Sequence, residues 1–400
     1  MHFFKHFWTK FVEGIFFLSS TITSLTVVLI IVFLFKEGAA IYGEKPIEPG
    51  FVLAINADNK VKDISAAQIK DIFDVKITNW KEVGGENDSI IVFRLDNISD
   101  YCSEEELGEN FEHLPEKINE IIEKNPGIVA FFSDKNLTKD FKGRLLPLDK
   151  ISIRNMFAGK EWFPTAEPAA QMGFLPLILG TLWVSLGAIL LALPLGLAVA
   201  IYMAEVASLR VRNILKPVIE LLSGIPSVVY GFFGLIVVVP LVQQIFNLPV
   251  GETALSGSII LAIMALPTII TVSEDAIRTT PRSMKEASLA LGASHFQTIY
   301  KVIIPYSISG ITAAAILGIG RAIGETMAVL MVTGNAAVIP HSFLEPVRTI
   351  PATIAAELGE AAQGGLHYKA LFALGCILFV ITLGINLFVE YISKRNSRQG

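Results

Sequence analysis

Hydrophobic and polar stretches alternate along the 400-residue chain at the length scale of membrane crossings. The first apolar run, residues 14–35, is 22 residues long, and a helix needs roughly 20 residues to cross a bilayer core. Five further apolar runs follow, at 174–203, 218–242, 254–273, 306–332 and 369–392. The pattern predicts an all-α polytopic membrane protein with six transmembrane helices.

A cleaved signal peptide is the alternative explanation of the first apolar run. The apolar core of such a peptide typically spans only about 7 to 15 residues. Because the run at 14–35 is longer, we expect a retained helix. We assign residues 1–44 to the N-terminus and the first transmembrane helix.

The segment 45–150 has the shorter periods of a small α/β domain. Ser65 to Gln68 has the form of a capping box, and apolar residues at helical spacing follow it. The remaining elements are predicted as a strand at 89–93, a helix around 118–122 and a strand at 128–132. We therefore expect a small α/β insert between helices 1 and 2, and a core of five transmembrane helices over 151–400.

Composition and charge agree with a membrane protein and give its orientation. Hydrophobic residues make up 52% of the chain and charged residues 17%, against roughly 25% charged in an average soluble domain. Basic residues cluster on alternate loops: Lys5, Lys10, Arg210, Arg212, Lys216, Arg278, Arg282, Lys285, Lys301, Lys394, Arg395 and Arg398. The intervening loop 243–253 has none, and 334–368 has Arg348 alone. The positive-inside rule predicts cytoplasmic termini and an insert on the outside.

A polar helical loop, residues 281–305, precedes the fifth apolar run. Gly292 permits a sharp bend between two short helices. Leu289, Phe296 and Ile299 supply apolar anchors at helical intervals, suited to the groove of a partner protein. The alternative is an ordinary amphipathic surface helix.

Two charges lie inside the fifth apolar run, where a charge costs at least about 2.5–3.5 kcal/mol on insertion scales. Arg321 and Glu325 are four residues apart, so on a helix they share a face and can pair. One interpretation is that they only neutralise each other. The other is that Arg321 offers its forked donors to an oxyanion, while Thr326 and Asn335 add neutral hydrogen bonds.

Small residues and prolines shape the predicted helices around this segment. Ser223 and Ser227 flank a Gly-Ile-Pro sequence that predicts a bend in the third transmembrane helix, near a translocation path. Gly320 and Gly324 form a small-xxx-small face, which predicts close helix packing. The chain has no Walker A sequence, so we expect no ATPase site, and no metal site is predicted.

The loop at 281–305 resembles the EAA loop of ATP-binding-cassette (ABC) importer permeases. The matching residues are Glu286, Ala287, Gly292 and the closing Val302-Ile303-Ile304-Pro305, with Ser288 in place of the usual second Ala. We call residues 281–305 the EAA-like loop. In that family the loop couples the permease to its ATPase, and the resemblance implies this role for Glu286, Ala287, Gly292 and Pro305.

Two further blocks resemble the signature of phosphate-specific ABC transporter permeases of the PstC type. They are Gly320-Arg321-Ala322-Ile323-Gly324-Glu325-Thr326-Met327-Ala328-Val329, continuing to Asn335, and residues 220–231. The resemblance covers roughly 151–395 and the first helix. It implies a type I ABC importer permease fold and import of inorganic phosphate, with Arg321 and Glu325 on the substrate path.

The same resemblance implies partners and a location. They are a PstA-type permease subunit, a dimer of ATPase subunits that bind ATP and Mg, a periplasmic phosphate-binding protein and the lipid of a bacterial cytoplasmic membrane. No cofactor is expected in this chain, and no nucleic-acid partner. The chain itself would be a transport subunit rather than an enzyme.

The insert also resembles one lobe of a phosphate-type periplasmic binding protein. The match runs over Ile64–Phe73, Ile77–Gly85, Arg94 and Asn125–Ile128. The Ser-Gly-Thr that holds the anion in that family is replaced by residues 97–100, Asn-Ile-Ser-Asp. The missing Gly removes an easy approach of backbone amides to an anion. We therefore expect a docking or vestigial domain rather than a phosphate receptor.

Two other functions stay open at this point. One is import of another oxyanion, sulfate or molybdate, which uptake competition would decide. The other is a membrane receptor, in which the insert senses phosphate and the EAA-like loop signals to a regulator. The protein that co-purifies through this loop separates an importer from a receptor.

Overall fold

The structure, a computed structural model, describes residues 2–108 and 110–397. Arg398, the last basic residue of the predicted C-terminal cluster, lies outside the described residues. The α-helices are α1 His2–Ala39, α2 Ala66–Phe73, α3 Glu104–Leu107, α4 Leu114–Lys124, α5 Ile153–Ala158, α6 Leu175–Ile201, α7 Leu209–Ser223, α8 Ser227–Phe233, α9 Val239–Phe246, α10 Ala254–Arg278, α11 Arg282–Ala290, α12 His295–Thr298, α13 Ile304–Gly324, α14 Met327–Val332, α15 Ile350–Glu357 and α16 Leu366–Ser397. The strands are β1 Phe51–Ile55, β2 Ile91–Arg94, β3 Ile128–Ser133, β4 Arg144–Leu145, β5 Trp162–Phe163 and β6 Gln171–Met172.

Six helical stretches of the described residues are long and apolar enough to cross a membrane. They are Lys10–Ala39, Leu175–Val206, Ser227–Phe246, Ala254–Arg278, His295–Gly324 and Leu366–Tyr391. Their lengths, 20 to 32 residues, meet the requirement of a bilayer core. The predicted number of transmembrane helices is confirmed.

The chain divides into two compact units. One reaches to Gly173 and takes in Ala361–Ala373, and the other holds Phe174–Glu360 and the chain from Leu374 onward. The insert lies in the first unit. The fifth apolar run and the EAA-like loop both lie in the second.

The insert is a four-stranded sheet in the order β2-β3-β1-β4. Strands β2 and β3 are parallel, and β1 pairs antiparallel with both β3 and β4. The predicted capping box at Ser65 and Gln68 starts α2, whose buried residues pack on one face of the sheet, while those of α4 pack on the other. Strands β1 and β4 were not predicted, although β1 is a continuous apolar run, and β4 has only two residues.

The predicted third transmembrane helix, 218–242, does not begin where the apolar run begins. Residues up to Ser223 belong to α7, an amphipathic helix that starts at Leu209. A turn with Gly224 and Pro226 separates it from α8, because Pro226 precedes the helix and cannot extend the hydrogen-bond ladder of α7. The sequence predicted a bend at this point, and the structure has a complete break.

Helix α10 is the central element of the second unit and packs against α6 and α13. Its contact with α13 is close at Gly318, where an added Cβ would lie 2.9 Å from Ile269 Cδ1. The predicted packing face at Gly320 and Gly324 meets no helix among the described residues of this chain, since an added Cβ at either position would have no described neighbour within 4 Å. The close approach uses the other side of α13.

Candidate functional site

Arg321 lies in the last turn of α13, within the stretch His295–Gly324 that is able to span a membrane. Its Nη1 donates a long hydrogen bond, 3.4 Å, to Thr268 Oγ1 on α10. Among the described residues, no carboxylate oxygen lies within the 4.0 Å of an ion pair from the Arg321 guanidinium. The side chain is half-buried, so the site holds a positive charge with most of its donors free.

Glu325 does not share a helix face with Arg321, which corrects the pairing expected from their spacing. Helix α13 ends at Gly324, and Glu325 is extended, with φ −70° and ψ 132°. Its Oε1 instead accepts a hydrogen bond of 3.5 Å from Ala328 N, in the first turn of α14. The predicted helix 306–332 is therefore two helices with a break at Glu325 and Thr326.

The break at Glu325 and Thr326 borders an open depression. Thr326 Oγ1 donates to Gly324 O, at 3.3 Å, and lines an open depression of about 530 Å³ together with residues of α15 and α16. Gly324 lines the same depression, and an added Cβ at Gly324 would have no described neighbour within 4 Å. The depression therefore opens at the residues that follow Arg321 in the chain.

The serines and the asparagine predicted for the path lie at helix ends. Ser223 is exposed and its hydroxyl donates to Glu220 O, while Ser227 begins α8. Helix α8 packs against α14 and shares a core cluster with it and with the end of α13. Asn335 has φ 50°, its Nδ2 donates to Leu330 O at 2.6 Å, and its buried Oδ1 has no partner in the described part of the chain.

Among the described residues, Arg321 makes no hydrogen bond to Ser223, Ser227 or Asn335. Only Thr268 bonds to the guanidinium among the described residues. Thr268 was not anticipated from the sequence, because a threonine beside a helix proline is common in membrane helices. The proximity of Thr268 to Arg321 becomes apparent only when α10 and α13 are packed together.

The EAA-like loop folds as two helices with a bend, as the sequence predicted. Glu286 and Ala287 lie in α11, all of whose residues are at least partly exposed. Gly292 has φ +85° and open space where a Cβ would be. A π-helical segment, Ile299–Ile303, joins α12 to α13, and Pro305 follows it as the second residue of α13.

The apolar anchors of this loop are only partly those expected. Leu289 and Phe296 are exposed, but Ile299 is 5% exposed and packs in the protein's own core. Leu291 at the bend is 90% exposed, so the third exposed apolar residue of the loop is Leu291 and not Ile299. An apolar edge of three side chains is therefore presented to solvent at the bend.

Two ionic contacts near this loop were not found by sequence reasoning. Glu274 on α10 is 1% exposed and its Oε1 lies 2.7 Å from Arg212 Nε on α7. Glu205, 8% exposed, lies 2.5 Å from Lys285 Nζ on α11. The sequence feature that could have predicted these ion pairs is a carboxylate at the end of an apolar run, next to a loop rich in basic residues.

Comparison with known proteins identifies the family to which this chain is similar. The model of the family described as "Binding-protein-dependent transport system inner membrane component" matches residues 192–398, and that of the "PBP superfamily domain" matches residues 49–151. A probable ABC transporter permease protein of Bacillus subtilis, YqgH, is 38% identical over 69% of this chain and 87% of its own length. The phosphate transport system permease protein PstC of Mesorhizobium japonicum is 38% identical over 60% of this chain and 78% of its own. Among solved structures, the inward-facing MetNI methionine ABC transporter aligns over 55% of this chain and 96% of its own, with 16% identity and a TM-score of 0.45.

The fold is that of a multi-pass membrane permease. The chain belongs to the family of binding-protein-dependent transport system inner membrane components.

Proposed function

We propose that this chain is the permease subunit of an ATP-driven importer of inorganic phosphate, of the PstC type. The observation that carries the proposal is Arg321, a half-buried guanidinium in a membrane-spanning stretch, without an ion-pair partner among the described residues. An ionisable residue inside a membrane-spanning segment is costly and indicates a functional site, of which a substrate path is one kind. The relatives named as phosphate transport permeases support phosphate as the anion.

The chemistry of Arg321 suits a tetrahedral oxyanion. A guanidinium presents planar, forked N–H donors that match two oxygens of a phosphate. Glu325, close in the chain but unpaired with Arg321, supplies a negative charge that keeps the anion from being held too tightly. The Thr326 hydroxyl, which donates to Gly324 O, keeps acceptor capacity for a protonated phosphate. Asn335 Oδ1 is buried, so we assign it no contact with the anion.

The EAA-like loop is proposed to dock on an ATPase subunit. Leu289, Leu291 and Phe296 form an exposed apolar edge at the Gly292 bend, a feature that fits a groove on a partner. ATP and Mg would be bound by the ATPase dimer and not by this chain. A PstA-type permease beside it and a periplasmic phosphate-binding protein complete the proposed assembly.

The experiment that tests this function is purification of the complex from membranes through a tag on this chain. We expect an ATPase and a second permease to co-purify, and an ATPase activity stimulated by the phosphate-loaded binding protein. Leu291→Asp, at the most exposed apolar residue of the bend, should release the ATPase but keep the second permease. Co-purification of a response regulator or kinase in place of an ATPase would favour the phosphate-sensing receptor.

Orientation is proposed from the basic loops, with both termini inside a bacterial cytoplasmic membrane. In a variant with Cys102→Ser and Cys376→Ala, a cysteine at the exposed position Glu105 should react with a membrane-impermeant maleimide in intact cells. A cysteine at the exposed position Ala290 should react only after the cells are opened. Reversed labelling would overturn the orientation and, with it, the docking of the EAA-like loop on a cytoplasmic ATPase.

The insert is proposed to be a docking domain that does not hold phosphate. Arg94, which ends β2, lies with its Cζ 5.2 Å from the centroid of the Phe73 ring. A 3₁₀ segment, Leu95–Asp100, follows directly, and Asp100 would repel an anion. Residues 45–150 expressed alone should fold and show no phosphate binding in the micromolar range by calorimetry. Micromolar binding that is lost in Arg94→Gln would instead make the insert a receptor.

A further inference from the structure

Helix α11 of the EAA-like loop is attached to the rest of the second unit by polar contacts. None of the residues of α11 is buried, so apolar packing does not fix this helix. Among the described residues, only two of its side chains make hydrogen bonds to other elements. They are Lys285, bonded to Glu205, and Ser288, bonded to Thr298.

The Lys285–Glu205 contact is a charged pair with little solvent access. Its atoms Nζ and Oε1 are 2.5 Å apart, and the side chains are 23% and 8% exposed. Pairs that are partly removed from water are screened less by salt than pairs on the surface. The pair therefore holds α11 in one position while leaving its outer face free.

Glu205 belongs to an irregular segment that continues α6. Residues Tyr202–Val206 are π-helical, and the chain turns at Ala207. Isolated π-helical turns occur often at functional sites, where a helix must deform. A movement of Lys285 would thus be passed to the deformable end of α6.

The second attachment of α11 leads towards Arg321. Ser288 Oγ lies 3.0 Å from Thr298 Oγ1, and Thr298 precedes the π-helical segment Ile299–Ile303. That segment runs directly into α13, which carries Arg321 in its last turn. Ile299 and Ile303 also share a buried apolar cluster with residues of α6 and α10. The two π-helical segments therefore belong to one packed unit, with α11 attached to each.

We propose that the Glu205–Lys285 ion pair transmits movement of the EAA-like loop to α6, so that both are positioning residues that couple ATP hydrolysis to transport. The inference rests on the proposed function as an ATP-driven permease. The pair does not touch the transported anion. Loss of the ion pair is expected to leave the binding of the substrate and of the ATPase unchanged. It is expected to uncouple ATP hydrolysis from phosphate transport.

The test uses the complete transporter in proteoliposomes, with radiolabelled phosphate and ATP. Glu205→Gln keeps the shape of the side chain and removes its charge. We expect phosphate uptake to fall at least about tenfold, since removing one partner of a buried pair leaves the other uncompensated, while ATP hydrolysis stays within about twofold. The number of ATP molecules hydrolysed per phosphate imported should therefore rise at least about fivefold, the ratio of these two changes.

Variants that restore the ion pair distinguish a coupling role of Glu205 and Lys285 from a merely structural role. The exchanged pair, Glu205→Lys with Lys285→Glu, should restore the ratio, and the neutral pair, Glu205→Gln with Lys285→Gln, should not. Arg210→Gln serves as the matched control, because Arg210 is exposed and basic and lies on the neighbouring helix α7. Restored coupling in the neutral pair, or normal coupling in Glu205→Gln, overturns the inference. Absence of ATP-driven phosphate uptake by the wild-type complex overturns the proposed function, and the inference falls with it.

Discussion

Replacing Arg321 by glutamine is expected to lower phosphate uptake by about 10- to 100-fold, because a hydrogen bond to a charged group contributes about 1.5–3 kcal/mol. The wild-type side chain has only a 3.4 Å bond to Thr268 and no ion pair among the described residues. Its removal therefore strands no bonded carboxylate, and the variant should reach the membrane in normal amounts. Uptake of radiolabelled phosphate, at equal membrane abundance, measures the effect.

Three companion variants decide what Arg321 does. The uptake by the double variant Arg321→Gln with Glu325→Gln should stay as low as that by Arg321→Gln if Arg321 meets the anion. Arg321→Lys keeps the charge but loses the planar fork, so we expect weakened rather than absent transport. Thr268→Val removes the hydrogen bond of the guanidinium to Thr268, its only one among the described residues, and serves as the mild control. Wild-type uptake by the double variant would leave the two charges with a structural role only.

Replacing Gly292 by valine is expected to abolish uptake while the protein stays in the membrane. Gly292 has φ +85°, and no atom lies within 4 Å of an added Cβ. Steric crowding is therefore absent, and the whole effect comes from the left-handed backbone, which costs an ordinary L-residue about 1–2 kcal/mol and a β-branched one more. The strain changes the angle between α11 and α12 and displaces the apolar edge proposed to meet the ATPase.

Gly43 provides a matched control for this strain. Its φ is +86° and it too has open space at the Cβ position, but it lies outside the EAA-like loop. Gly43→Val should keep most of the uptake, and Gly292→Asn should as well, because asparagine tolerates the left-handed region. Co-purification of the ATPase with each variant shows whether a loss of uptake comes from a loss of docking. Normal uptake by Gly292→Val would remove the coupling assignment.

The spans and the bend of the EAA-like loop could be predicted because their causes are local in sequence. A run of apolar residues as long as the bilayer is thick dictates a transmembrane helix, and Gly292 marks a left-handed position whatever surrounds it. The capping box at Ser65 is equally local. For the same reason, β2 and β3 were found in the insert, as continuous apolar or β-branched runs.

The break at Glu325 could not be predicted, since the apolar run continues through it without a proline. Whether a helix ends there depends on the packing of α14 against α8 and α10, which the sequence does not display. The partners of Arg321 and Lys285 depend on packing in the same way. Thr268 is 53 residues from Arg321 and Glu205 is 80 from Lys285, so no local pattern links them. Ile299 was misplaced because helical spacing alone does not tell a docking face from a core face.

The most direct test of the central claim is uptake of radiolabelled phosphate by proteoliposomes that contain this chain with its ATPase, its second permease and the binding protein. We predict accumulation that requires ATP, that is competed by unlabelled phosphate, and that is unchanged by an excess of sulfate or molybdate. Competition by sulfate or molybdate as strong as that by phosphate would make the chain a permease for another oxyanion. Failure of the intact assembly to accumulate any of the three anions would contradict the account.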